Sequence, residues 1–272
     1  MAVRLDLSKI ARNFLTMGPI VEMENTSFSF RTRIPSFGEQ PLLRDFSMKM
    51  VSGEIVAMVG PSGCGKSTIA RLIAGLLIPD SGRVIFKGQS VSGPSRERGL
   101  IAQGDWCLPW FTVRNNVQLG LSDPSHWGKA KQLLEVAGLK DSLERYPSEL
   151  SFGGRQRVCL VRALVAGADV LMLDEPLSAV DAVRKTSLEQ TIRATLKAAG
   201  ASALWITHDL DEALLVSDRL LVVGGRPLTI LHDEGLERRP DDIQGMIGSS
   251  AFQMHRIELH RRVAELWPAD RL

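Results

Sequence analysis

The chain has no run of about 18 apolar residues, the length that spans a bilayer. Its best apolar stretch, Val158 to Leu173, is interrupted by Arg162 and Asp169. A membrane-crossing helix is thereby excluded. The first residues carry Arg4, Asp6, Lys9 and Arg12 without an apolar centre, so they do not read as a secretion signal. Cysteine is scarce: Cys64, Cys107 and Cys159 are scattered without metal-ligand spacing and read as reduced thiols of a cytosolic protein. Excess charge of either sign is also missing, with 33 Lys+Arg against 31 Asp+Glu and a net charge of +2. That balance gives no electrostatic footprint for nucleic acid. There is no internal repeat and no low-complexity tract. What is present is 272 residues, 44% hydrophobic, enough for one large α/β domain or two intimate subdomains.

One segment is far more specific than composition. Gly60-Pro61-Ser62-Gly63-Cys64-Gly65-Lys66-Ser67-Thr68 fits the phosphate-loop pattern G-x-x-x-x-G-K-[ST]. The apolar run Ile55 to Val59 before it reads as a buried strand. Ser67 to Ile78 after it reads as a helix, closed by the turn signal Pro79-Asp80-Ser81-Gly82. Glycines let the backbone curl so that successive N–H groups face phosphate oxygens, and the helix N-terminus adds its positive end. In such a loop Lys66 reaches the β- and γ-phosphates, and the Ser67 hydroxyl holds Mg²⁺. Cys64 lies inside the loop, and nothing around it in sequence makes it catalytic.

Residues 1–20 form an N-terminal extension. Val3, Leu7, Ile10, Phe14 and Met17 recur there at helical spacing, compatible with a short amphipathic helix or a frayed tail. Val21 to Phe46 alternates like strands, with a Pro/Gly-rich turn at Ile34 to Pro41. Arg83 to Phe86 and Leu100 to Ala102 read as further strands. From about Gly104 to Ala166 the character turns helical, including Lys129 to Gly138 and Gln156 to Ala166. Strand-like runs return at Val170 to Leu173, Ala203 to Ile206 and Arg219 to Val223. The alternation predicts an α/β core with a mainly helical insert over 104–166. Residues 236–272 form a C-terminal extension in which Leu259, Val263 and Leu266 predict a final helix.

Val170-Leu171-Met172-Leu173-Asp174-Glu175 is an apolar strand ending in two carboxylates. Asp174 at the strand end can reach a Mg²⁺ beside the phosphate loop. Glu175 can polarise a water for in-line attack on a γ-phosphate. Taken alone, these two elements also fit kinases, GTPases and motors, and the pair of acids also fits a surface cap.

Between them lies Glu149-Leu150-Ser151-Phe152-Gly153-Gly154-Arg155-Gln156-Arg157-Val158. With this segment the chain resembles the ABC-transporter ATPase family, over about residues 21–235 and with the motifs in the family's order. Walker A is Gly60 to Thr68, and the Q-loop residue is Gln103. The signature begins at Leu150-Ser151, and Walker B is Val170 to Asp174 followed by Glu175. The D-loop is Ser178 to Asp181, and the switch histidine is His208 in Ile206-Thr207-His208-Asp209. Phe30 falls where the family's adenine-stacking aromatic lies; Phe28 is a rival, and either ring also fits a plain core role. The usual signature is Leu-Ser-Gly-Gly-Gln/Met-x-Gln-Arg. Either Phe152 stands in place of the first glycine, or it is an insertion and Gly153-Gly154 are the glycine pair.

The resemblance implies a P-loop NTPase (RecA-like) core with an antiparallel β subdomain and an inserted helical subdomain. It implies ATP and Mg²⁺ as cofactors. Glu175, His208 and Gln103 would be catalytic, Ser67, Gln103 and Asp174 metal-binding, and the phosphate loop with Phe30, Ser151, Gly153 and Asp181 nucleotide-binding. Ser151 would serve the nucleotide of a second subunit, giving a homodimer with two ATPs at its interface. Other implied partners are integral-membrane permease subunits and, indirectly, an extracytoplasmic solute-binding protein. The chain would then sit at the cytoplasmic face of the inner membrane. Gly93 to Gly99 and Leu108 to Val117 look like the importer branch serving nitrate, sulfonates, taurine and thiamine precursors. Trp106, Leu108, Trp110 and Phe111 fall where that family takes a short helix of the membrane subunit; packing within the insert is the alternative. A soluble ABC ATPase with a non-transport role is the runner-up reading, and a P-loop kinase lacks reason for the signature, Asp181 and His208.

Overall fold

A computed structural model describes residues 18–30, 41–104, 107–178, 180, 182–236 and 243–267. The N-terminal helix pattern, all but the last residue of the Ile34 to Pro41 turn, Trp106 and Asp181 therefore lie outside the described residues. The strands among the described residues are β1 (Pro19–Phe28), β2 (Leu43–Val51), β3 (Ile55–Val59), β4 (Ser81–Phe86), β5 (Gln89–Ser90), β6 (Arg98–Ile101), β7 (Val170–Asp174), β8 (Ser202–Thr207), β9 (Arg219–Gly224) and β10 (Thr229–Gly235). The α-helices among the described residues are α1 (Lys66–Ala74), α2 (Val113–Gln118), α3 (Trp127–Val136), α4 (Phe152–Val165), α5 (Ala182–Ala199), α6 (Leu210–Val216), α7 (Ile243–Gly248) and α8 (Ser250–Leu266).

The strands form two sheets. One runs β2-β1-β4-β5 and is antiparallel. The other runs β10-β9-β3-β8-β7-β6, parallel throughout except for the β10–β9 pair. Strands β3, β7 and β8 are buried at every position, as central parallel strands covered on both faces must be. Successive residues of β3 therefore serve different cores. Val56 and Met58 pack with α1 and the antiparallel sheet. Ala57 and Val59 pack with α6 and α8. On another part of the parallel sheet, Leu171, Leu173, Ala203 and Trp205 pack with α5 and with α2, α3 and α4. Among the described residues between β6 and β7, regular structure is helical only. This is the fold of a P-loop NTPase core with an antiparallel β layer and a helical insert.

Most predicted elements are present within a few residues. The helix after the phosphate loop differs. It ends at Ala74 instead of Ile78, because Gly75 takes the left-handed cap (φ 77°). A Cβ on Gly75 would lie 2.1 Å from the Gly93 carbonyl oxygen, so the chain turns where another segment crosses it. Leu76 and Ile78, expected on the helix, are left 54% exposed. The Ser81-Gly82 pair, expected in a turn, opens β4. Ser81 pairs with Ser27 across a register shift in β1, next to Asn25 at φ 45°.

Gly82 sits against that irregularity at φ 73°, where an added Cβ would lie 2.2 Å from the Asn25 carbonyl oxygen and 2.4 Å from that of Glu24. Backbone cannot yield as a side-chain tip can. Gly82→Ala is expected to cost ~2–4 kcal/mol, read as a lowered denaturant midpoint with an unchanged slope.

Candidate functional site

The parallel strands β3, β8, β7 and β6 are neighbours, so their C-terminal ends share one edge of the sheet. Gly60 follows β3, His208 follows β8, Asp174 and Glu175 stand at the end of β7, and Gln103 follows β6. Four segments far apart in sequence thus meet at the edge where open α/β sheets bind ligands.

The loop after β3 is shaped by three glycines. A Cβ on Gly60 would lie 2.6 Å from the Val223 carbonyl oxygen, so only glycine lets the loop leave β3 beside β9. Gly63 and Gly65 have φ of 75° and 119°. Gly65 caps α1 without a side-chain acceptor. Its carbonyl takes the N–H groups of Thr68 and Ile69. The N–H groups of Lys66 and Ser67 begin the helix and have no carbonyl one turn back within it. Lys66 is 5% exposed, and its Nζ donates to the carbonyls of Gly60 (2.7 Å) and Pro61 (2.9 Å). The Lys66 side chain thus folds back onto two backbone carbonyls of the loop, next to a helix N-terminus. Pro61 and Ser67 are half-buried, Thr68 is buried, and Ser62 and Gly63 are exposed at the rim. Cys64 is buried, and that burial pushes its thiol pKa up, which keeps it protonated and unreactive.

At the end of β7, Asp174 is 9% exposed. The next residue, Glu175, has φ 48°, a conformation that costs a residue with a Cβ ~1–3 kcal/mol unless its surroundings enforce it. Its N–H donates to the Ile206 carbonyl at 2.9 Å. Its carboxylate Oε1 lies 3.2 Å from Nδ1 of His208, which is largely exposed. The turn at Glu175 and the loop after β8 bring together two residues 33 positions apart. Gln103 is exposed in the bend after β6, followed by Gly104 at φ 119°.

Ser151 is carried by the helical insert, not by a strand end. It caps α4, its Oγ accepting from the Gly154 N–H at 3.1 Å. The helix runs unbroken from Phe152 to Val165, so Phe152 occupies its first position, next to the cap. Arg155 covers its ring at 5.9 Å. A Cβ on Gly153 would lie 2.4 Å from the end of the Leu188 side chain of α5, which would have to shift to admit it. Of the two aromatic candidates in β1 and beyond, Phe28 is 7% exposed and Phe30 52%, meeting edge to face at 5.0 Å. Phe30 is the ring with a face open to a partner.

The donor set fits the implied cofactors. Ser67 hydroxyl, Asp174 carboxylate and Gln103 amide are hard oxygen donors with one acid among them, suited to a Mg²⁺ that also takes phosphate oxygens. Among the described residues no cluster of His, Cys, Asp and Glu is arranged to hold a metal by protein alone.

One network under the site was not anticipated from sequence. Lys185 of α5 bonds Asp209 (2.5 Å) and Glu212 (2.8 Å), one and four residues past His208. Asp209 also caps α6, taking the N–H groups of Asp211 and Glu212. Glu212 accepts the indole N–H of the buried Trp205. Burial alone would raise the Asp209 pKa, but the Lys185 ammonium and the capped N–H groups hold it below the usual range. Glu189, one turn from Lys185, is 3% exposed and its Oε2 has no hydrogen-bond partner.

Fold and site together define a P-loop nucleotide-binding ATPase cassette. A family model described as ABC transporter matches residues 43–178. The aliphatic sulfonates import ATP-binding protein SsuB 1 of Xanthomonas axonopodis pv. citri is 42% identical, over 76% of this chain and 85% of that protein. The taurine import ATP-binding protein TauB of Roseobacter denitrificans is 38% identical over 74% and 77%. The nitrate import ATP-binding protein NrtD of a Synechocystis strain is 40% identical over 71% and 74%. A dimeric bacterial ABC transporter cassette superposes with a TM-score of 0.65 at 23% identity, covering 80% of this chain and all of that one. This chain belongs to the ABC transporter family.

Burial, then the negative charge of Glu212, pushes the Glu189 pKa up to about 7 from an ordinary value of 4.5. Below pH 4.5 the group is protonated folded or unfolded and has no effect on stability. As pH rises from 4.5 to 7 the unfolded chain ionises first, and stability falls; above 7 the penalty is complete. Glu189→Gln is therefore expected to be near neutral at pH 4.5 and stabilising at pH 8, by on the order of 1–3 kcal/mol in denaturant titrations. Equal effects at both pH values would refute the burial of a proton at Glu189.

Proposed function

We propose that this chain is the ATP-binding and ATP-hydrolysing subunit of an importer, powering uptake of a small solute through separate membrane permeases. The contact between Glu175 and His208, at the sheet edge that also carries the phosphate loop, is the observation that carries the reading. The cassette spans residues 21–235 with its helical subdomain at about 104–166; residues 1–20 and 236–272 are extensions.

In this reading the loop N–H groups from Gly60 to Thr68 and the Lys66 ammonium bind the triphosphate, and Phe30 stacks on the base. Ser67, Asp174 and Gln103 would hold a Mg²⁺, which would supply neutralisation of the phosphate charge. Glu175 accepts a hydrogen bond from the attacking water and polarises it. The Nδ1–Oε1 contact fixes one carboxylate oxygen and leaves the other for that water. His208, on the exposed side of the pair, contacts the γ-phosphate. Ser151 and Gly153 at the head of α4, with Asp181, complete the pocket of a second copy. ATP binding then closes a homodimer, and hydrolysis reopens it.

Trp110, 67% exposed beside Phe111, is an apolar surface suited to a permease helix. It lies on the helical insert, which together with β6 lines a cavity of about 310 Å³ (Leu100, Ile101, Leu119, Gly120, Arg162, Ala163). Among the described residues no helix is long and apolar enough to cross a membrane. Attachment to the cytoplasmic face of the inner membrane would then run through permease subunits, with a solute-binding protein acting indirectly. The names of the relatives favour taurine, a sulfonate or nitrate as the solute class.

Glu175→Gln is expected to lower steady-state ATP hydrolysis by ~10²-fold or more while ATP still binds, and to trap a dimer visible by light scattering. Lys66→Ala should weaken ATP binding instead, by ~10-fold or more in a titration. Normal turnover after Glu175→Gln would remove Glu175 from its role, and unchanged affinity after Lys66→Ala would remove the loop from its own.

A further inference from the structure

We propose that the C-terminal helix α8 acts on the hydrolysis site as a positioning element, with Arg256 holding His208 in place through Asp211. The inference rests on the reading of His208 given above and assigns a task to a segment beyond the family match, which ends at residue 178.

The physical argument starts from α6. It has only seven residues, Leu210–Val216, and begins two residues after His208. So short a helix has little stability of its own, and its place is set by what packs on it. Two attachments hold its first turn. Lys185 grips Asp209 from the side of α5. From the other side, the Arg256 guanidinium makes a two-pronged bond to Asp211, with Nε to Oδ1 at 2.6 Å and Nη2 to Oδ2. Nε2 of His260, one turn further along α8, lies 2.8 Å from the same Oδ1. Behind this polar contact, Leu259 and Val263 of α8 are buried with Leu210, Ala213 and Leu214 of α6.

The same apolar cluster includes Ala57 and Val59 of β3, the strand that leads into the phosphate loop. The Trp267 indole N–H donates to the Val223 carbonyl at 3.2 Å, next to the strand end that Gly60 touches. The C-terminal helix therefore packs on two supports of the site at once, the strand before Lys66 and the helix after His208.

Magnitudes separate holding from stabilising. Arg256 and Asp211 are 40% and 38% exposed, and a pair that exposed adds little to global stability. The forked geometry, however, fixes direction as well as distance. The bonds from Arg256, before those from His260, hold the Asp211 pKa below the carboxylate range, so the carboxylate is charged whenever the enzyme works. The apolar contact of Leu259 and Val263 keeps α8 attached; the Arg256–Asp211 fork sets where the first turn of α6 lies. That position decides the reach of the His208 ring toward Glu175.

The test uses the full chain, with Arg256→Ala, Arg256→Lys and the charge exchange Arg256→Asp with Asp211→Arg. ATPase kinetics, melting temperature and hydrogen exchange at residues 210–216 are measured on each. Expected for Arg256→Ala are a kcat lowered by ~3- to 10-fold, an ATP KM within about twofold of the parent and a melting temperature within about 2 °C. Amides of α6 should exchange several-fold faster while those of β7 do not change. The charge exchange should recover most of the lost kcat, and Arg256→Lys only part of it, because lysine cannot supply the fork. An unchanged or raised kcat overturns the proposal. So does a lowered kcat that follows a lowered melting temperature and is not recovered by charge exchange. A parent chain without ATPase activity would sink the proposed function instead; hydrogen exchange at α6 would still decide whether Arg256 restrains that helix.

Discussion

The parallel ladder from β3 through β8 and β7 to β6 is the constraint on which the rest of the structure depends. Its pairing sets Val59 beside Thr207, Asp174 beside Ile206 and Ile101 beside Leu173. A shift by one residue would turn every side chain of a strand to the opposite face. Because β3, β7 and β8 are buried at every position, such a shift is prohibited by packing on both faces. The phosphate loop, the two carboxylates, His208 and Gln103 are thereby delivered to one edge without any of them having to contribute to stability. Several of them are unfavourable for the fold. Glu175 occupies a left-handed conformation, and Lys66 carries a buried charge satisfied by carbonyl dipoles.

The surroundings that tolerate these features are equally specific. The loop can pass under β9 only because Gly60 has no side chain to meet Val223. The loop after β8 is held on either side of His208, by the Thr207 hydroxyl accepting from the Asp209 N–H and by Asp209 capping α6. Lys185 and Arg256 then tie the start of α6 to α5 and α8. The exposed histidine is thus mounted on a rigid base, while its ring reaches outward to Glu175.

Much of the site was legible because its devices are local. A phosphate loop is a backbone shape written in closely spaced glycines, here Gly60, Gly63 and Gly65, and a Ser before a helix is a cap whatever surrounds it. The order of the motifs names Gln103, Ser151, Glu175 and His208 by resemblance; three of them, Gln103, Glu175 and His208, follow strands of the parallel sheet, while Ser151 caps α4, and their roles stay proposals. Asp181 lies outside the described residues, and its role stays a proposal. Elements whose limits depend on a distant chain segment were misjudged. Leu76 to Ile78 looked helical because they are apolar, yet the helix stops at Gly75 where the Gly93 backbone crosses. Ser81 and Gly82 read as a turn, yet Ser81 pairs with Ser27 across a register shift in β1, and Gly82 sits against that irregularity.

The sequence by itself determined the chemistry of the nucleotide loop, the apolar strands that carry the acids, and the alternation that makes the core α/β. Each depends on neighbours a few residues away, and short-range sterics and periodicity suffice to express them. Only the tertiary structure decided which charged side chains meet. Lys185, Glu189, Asp211 and Arg256 read as ordinary polar positions on helices, and nothing in their local spacing distinguishes a solvated face from a buried or bridged one. Their partners are set by how α5, α6 and α8 pack against one sheet, and electrostatic energy depends on that distance and on the water excluded there.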